Sequence, residues 1–143
     1  MFIGEYTHNI DAKKRLAIPS KFRKSLGASV VITLGLDNCL FLFPIQEWEI
    51  LADKLGHLPI GQQDARGFSR LMMAGAAEVE IDSLGRILIP DYLKNRTGLN
   101  KKVVLAGVGA RVEIWNEASW IQYKEKIEKE VGNLAEKMGQ LGI

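Results

Sequence analysis

The sequence holds a single cysteine, Cys39. No intrachain disulfide can form, so packing alone has to hold the fold, and the usage fits a reducing cytoplasm. Long apolar runs are missing as well. The longest are of the order of CLFLFPI at 39–45, far below the roughly 20 residues a membrane-spanning helix needs. The opening MFIGEYTHNID has neither the basic start nor the apolar stretch of a signal peptide. Histidine is scarce: His8 and His57 lie on different segments, with no cysteine or carboxylate at metal-ligand spacing. No Walker loop is present. GVGAR at 107–111 comes near a dinucleotide fingerprint, but Val112 stands where a third glycine is needed, and RVEIW reads as a strand, so GVG is a hairpin turn. Cys39 sits within an apolar strand, where burial is its expected role. Asp11 and Asp82 could form a pair of related carboxylates for acid–base work. Each has an arginine nearby and neither has a nucleophile, so neither an enzyme nor a cofactor is expected.

What is present suffices for a folded protein. Apolar residues make up 47% of the 143 and charged residues 25%, an ordinary balance for one compact domain. The net charge is only +2, but it is segregated. Residues 1–27 hold six basic and two acidic side chains, a net +4, and residues 81–102 hold five and two, a net +3. Residues 45–80 hold three and six, a net −3. Two basic segments around an acidic middle suggest an anionic partner for the basic ones.

Both basic segments carry the same ten-residue pattern. Residues 10–19 read IDAKKRLAIP and residues 81–90 read IDSLGRILIP. The match extends outward: Gly4 aligns with Gly75, Gly27 with Gly98 and, after a one-residue shift, Trp48 with Trp120. The chain is therefore a tandem duplication, with repeats over 5–48 and 76–120. Within each copy the pattern predicts a strand, a tight turn, a second strand ended by Pro19 or Pro90, and a short helix. Ser20 or Asp91 is the expected N-cap, and Gly27 or Gly98 lies past the helix end. Two β-rich runs follow, joined by GLDN in the first copy and GVG in the second. The alternation in RVEIW predicts one buried and one wet face.

A unit of four strands and one helix is too small to bury its own core. The expectation is an α+β, mainly β fold: one domain over 1–143, in which the repeats interleave through pseudo-twofold symmetry and close a barrel without free edges. Helices are expected over 47–74 between the repeats and over 117–138 at the end. The apolar stripes on these helices cover the barrel or pack on a neighbouring subunit.

The D-x-x-x-R turn carries the chemistry. Glycine and strand-like flanks favour a turn over a helix. Asp11 and Asp82 are expected to accept N–H groups of their own turns, with Gly85 as the turn-stabilising partner. Lys13, Lys14 and Arg15 crowd one tip, with Lys21, Arg23 and Lys24 close behind. Phosphates suit the lysines and guanine suits arginine. Arg86 either does the same or serves a subunit interface. A basic surface with no partner is the plainer alternative. Rival functions are a ring-forming scaffold that binds proteins through its helices and a small hydrolase using Asp11 and Asp82.

These residues resemble the MraZ family of bacterial transcription regulators, built from two AbrB-like (SpoVT-type) half-barrel units. The resemblance rests on the MFxGxxxxxID opening, the paired D-x-x-x-R signatures, the aromatic ends FPIQEWE and WNEASW, and SRLMMAGAAE before the second copy. It implies a swapped-hairpin barrel within one chain and ring-like homo-oligomers. It also implies binding to short guanine-rich direct repeats in double-stranded DNA upstream of the operon for cell division and wall synthesis, usually as a repressor at the nucleoid. The DNA-contacting surface it implies is Asp11, Lys13 and Arg15, with Asp82 and Arg86. One departure stands out. The family's first signature reads D-x-K-G-R, and Lys14 here takes the glycine's place. If that position needs a positive φ, Lys14 is strained where Gly85 is not.

Overall fold

The computed structural model describes all residues, Met1–Ile143. The first repeat supplies β1 (Phe2–Asn9), β2 (Arg15–Ala17), α1 (Ser20–Leu26), β3 (Ser29–Leu34) and β4 (Leu40–Pro44). Helices α2 (Ile45–Gly56) and α3 (Gln63–Ala74) follow. The second repeat gives β5 (Ala77–Glu80), β6 (Arg86–Leu88), α4 (Asp91–Arg96), β7 (Lys102–Gly109) and β8 (Arg111–Asn116). The chain ends in α5 (Glu117–Lys129) and α6 (Val131–Gln140).

Six strands form one sheet in the order β1-β7-β8-β4-β3-β5, and β2 pairs with β6 in a separate ribbon. The repeats exchange their first strands: β1 lies antiparallel on β7, and β5 lies antiparallel on β3. At Gly107 this crossing is close, because a Cβ there would come within 2.6 Å of the Phe2 carbonyl carbon. Glycine is the residue that lets two backbones approach so near.

The sheet is open, which corrects the expectation of a closed barrel. Its edges are β1 and β5. β5 is four residues long, and β2 and β6 are three each. β2 and β6 pair with each other and β5 pairs with β3, so none of these short strands bridges the two edges. A single antiparallel bridge, Ile10 with Leu16, links the end of β1 to β2.

Alternation along the strands splits the interior in two. Val30, Ile32, Leu40, Leu42, Val103, Leu105, Val112 and Ile114 face the ribbon. There they meet Leu16, Ile18, Ile87 and Ile89, with Phe22 and Leu93 from the short helices. The opposite face presents Cys39, Phe41, Phe43, Val104 and Trp115 to Leu55, Met72, Trp48 and Trp120 from the longer helices. Burial pushes the Cys39 thiol far above its ordinary pKa, so it is inert packing.

Three local expectations change. Pro19 and Pro90 occupy the N-cap positions of α1 and α4, with no side-chain cap bond, so Ser20 and Asp91 are the first helical residues. RVEIW has no wet face. Glu113 is 9% exposed, because it accepts hydrogen bonds from Arg111 Nη2 at 2.8 Å and Trp115 Nε1 at 3.1 Å, and a buried carboxylate needs such partners. The C-terminal helix is broken at Glu130, where φ and ψ are −107° and 8°.

Candidate nucleic-acid interface

Each D-x-x-x-R segment folds into the same turn. Asp11 N–H donates to the Arg15 carbonyl at 3.0 Å, and Lys14 N–H donates to the Asp11 carbonyl at 3.0 Å. The Asp11 side chain fills the loop. Its Oδ1 accepts the N–H groups of Lys13 and Arg15, both at 2.9 Å, and its Oδ2 accepts Arg15 Nε at 2.8 Å. The second turn repeats this arrangement. Asp82 Oδ1 accepts the N–H groups of Leu84 and Arg86 at 2.9 Å, and Oδ2 accepts Arg86 Nε at 2.9 Å. The aspartate–arginine spacing thus encodes a self-contained turn in which the carboxylate orients the guanidinium.

These bonds act on the acids. The Arg15 N–H above all holds the Asp11 carboxyl below its ordinary value of 3.8, helped by the Arg15 guanidinium and the Lys13 N–H. The Arg86 N–H does the same for Asp82, with its guanidinium and the Leu84 N–H.

The ribbon sets how the two arginines relate. Arg15 pairs with Leu88, Leu16 with Ile87, and Ala17 with Arg86. Leu16 and Ile87 are fully buried, so the alternate residues Arg15, Ala17, Arg86 and Leu88 share the outer face. Arg15 and Arg86 are diagonal neighbours there, about 7–8 Å apart by the usual cross-strand spacing. The ribbon continues past its three pairs: Ile18 N–H donates to the Gly85 carbonyl at 2.8 Å, and Ile89 N–H to the Lys14 carbonyl at 3.0 Å. Each turn is therefore clamped by the other repeat.

Both arginines are held on carboxylates through Nε, and their side chains are 32% and 26% exposed. No hydrogen bond within the chain engages their Nη atoms. The end-on, two-nitrogen edge of each guanidinium is thus left to an outside acceptor. The adjacent carboxylate offsets part of each guanidinium's charge and fixes its orientation.

The lysines divide. Lys13 is exposed and has no acidic partner. Lys14 has φ 63°, so its backbone adopts the left-handed conformation that Gly85 adopts at 78°. Its ammonium reaches across to Asp91 at the start of α4. From the sequence alone Asp91 is only a cap, and Arg23 lies only near the first turn. Arg23 in fact leans over the second turn: a Cβ on Gly85 would overlap its Nη1 and lie 2.7 Å from its Cδ and Cζ. The duplication offered one signal, since Arg23 aligns with Lys94 and both copies are basic there. The exchange of strands that carries it to the other turn has no signature in one copy. No group of three His, Cys, Asp or Glu converges to hold a metal, and no helix is long and apolar enough to cross a membrane.

The duplication is matched by comparison with other proteins. The family described as "MraZ protein, putative antitoxin-like" matches twice, over residues 1–71 and 72–141. A protein of Clostridium tetani named transcriptional regulator MraZ is 49% identical over 144 residues and is covered over 100% of both chains. Proteins of the same name from Acetivibrio thermocellus, 50% identical with 100% of both chains covered, and Carboxydothermus hydrogenoformans, 49% identical with 96% of both chains covered, agree. Two tandem matches that span nearly the whole chain, and relatives about half identical along nearly all of both chains, make this chain a member of the MraZ family.

Proposed function

We propose that the chain is a sequence-specific DNA-binding transcriptional regulator, acting in the cytoplasm at the nucleoid. The observation that carries this reading is the pair of Asp-oriented arginines on the outer face of one ribbon. Arg15 and Arg86 offer their Nη edges to guanine O6 and N7 in the major groove. Asp11 and Asp82 fix the two side chains, and Gly85 lets the second turn close. Lys13 holds a phosphate, and Lys14 does so on leaving Asp91. The names of the relatives point the same way.

The finer reading extends this. The chain represses the cell division and wall operon by binding guanine-rich direct repeats as a homo-oligomeric ring, and its strand exchange is of the AbrB-like swapped-hairpin kind. One ribbon makes few contacts, so a ring that presents several in register gains through effective concentration. Helix α6 supports self-association: none of its residues is buried, and Val131, Met138 and the following Leu141 are 62%, 36% and 73% exposed. The same face would suit a scaffold that binds protein partners.

The deciding experiment is a titration of the protein with its own upstream DNA across a range of salt, with heparin as competitor. Arg15→Ala is expected to cost about 1–3 kcal/mol and to relax base preference. Lys13→Ala is expected to weaken all sequences alike and to flatten the salt slope by about one unit. Unchanged binding in both variants, with partner proteins captured independently of salt, would favour the scaffold.

A further inference from the structure

The two turns are alike in backbone and unlike in charge. The first carries Lys13, Lys14 and Arg15; the second carries Arg86 alone. In the first, Asp11 takes up Arg15 and Asp91 takes up Lys14, which leaves Lys13 as the cation without an acidic partner. In the second, Asp82 takes up Arg86, and no cation of the turn itself remains. Arg23 stands where the missing charge would be. It belongs to α1 of the first repeat, is exposed, and has no carboxylate within ion-pair distance among the chain's salt bridges. Its guanidinium occupies the space above Gly85 that any side chain there would fill.

Building on the DNA-binding reading, we propose that Arg23 is a phosphate-contacting residue supplied by the first repeat to the second repeat's turn, matching Lys13 on the first. Each Asp-oriented arginine then has one free cation at its turn: Lys13 from within and Arg23 from across the repeat boundary. Gly85 serves this in two ways. It adopts the positive φ of 78° that closes the turn, and it leaves room for the guanidinium. A lysine at this place, as in the first turn, would displace Arg23.

The test compares wild type, Arg23→Ala, Arg23→Lys and Arg15→Ala on two duplexes, the protein's own upstream DNA and a scrambled sequence of equal length, across a sodium chloride series. Arg23→Ala is expected to bind both duplexes more weakly by the same factor, with the slope of log affinity against log salt reduced by about one for each ribbon engaged. Arg23→Lys keeps the charge and is expected to keep the slope. Gly85→Ala, with its fold checked by circular dichroism, is expected to follow Arg23→Ala. A wild-type slope in Arg23→Ala alongside lost base preference in Arg15→Ala overturns the role of Arg23 and leaves the DNA-binding reading standing. An Arg23→Lys slope equal to that of Arg23→Ala also overturns it. Wild-type binding in Arg15→Ala and Arg23→Ala together removes the DNA-binding reading and this inference with it.

Discussion

Arg15 and Arg86 lie diagonally across the β2–β6 ribbon, each paired opposite a residue of the other's strand and each gripped by its own aspartate. Residues 71 positions apart in the chain thus form one surface. If both read bases, Arg86→Ala should cost about as much as Arg15→Ala, roughly 1–3 kcal/mol each. Because the two sites are neighbours, the double variant should deviate from the sum of the single losses. A double-mutant cycle on one duplex measures this.

Lys14 bears a left-handed backbone, with φ 63°, at a cost of about 1–2 kcal/mol for a residue with a Cβ. Its pair with Asp91 is surface-exposed, at 47% and 62%, and such pairs return about 0–1 kcal/mol. Lys14→Gly should therefore raise stability, by up to about 2 kcal/mol. Urea midpoints at constant m would show it, and a lowered midpoint would refute the strain argument.

Asp11 and Asp82 have folded-state pKa values below 3.8. A depressed carboxyl stabilises the fold above its unfolded pKa, and that contribution fades as pH falls through the folded value. Stability of the turns should thus be flat above about pH 5 and decline below about pH 4. NMR titration of the two carboxyl groups checks the sign, and Asp11→Asn should flatten the acid limb of the stability curve. The same variant should weaken base preference, because Arg15 loses its orienting partner.

Leu16 and Ile87 oppose each other at the centre of the ribbon and are completely buried. Leu16→Ala should destabilise by about 2–5 kcal/mol, with a similar loss for Ile87→Ala. Chemical denaturation would read both, and a loss below 1 kcal/mol in either would mean that the ribbon is not seated on the core.

The duplication and the turn were legible because they depend on local, repeated residues. The pattern IDxxxRxxIP fixes a strand end, a loop-filling acid and a proline stop within ten positions. Closure was not legible. Whether a sheet joins its two edges depends on how far β5 and β2 extend and on which strand each meets, and both are settled by long-range pairing. RVEIW misled for a similar reason. Its period of two was real, but Arg111 and Trp115 satisfy Glu113 on the face that looked wet. The break at Glu130 leaves the apolar spacing nearly intact, so periodicity does not reveal it. Arg23 could be seen as basic but not as part of the second turn, because only the ribbon brings α1 to Gly85.

The exchanged first strands carry a consequence for how the molecule can change. Had two identical copies assembled as a pair, any substitution would have struck both turns at once. With the copies fused, neither half completes its own sheet, since β1 needs β7 and β5 needs β3, so neither can be discarded. Each turn is nevertheless written by its own codons. One can drift to lysine while its twin stays glycine, so a symmetric grip becomes free to favour one side.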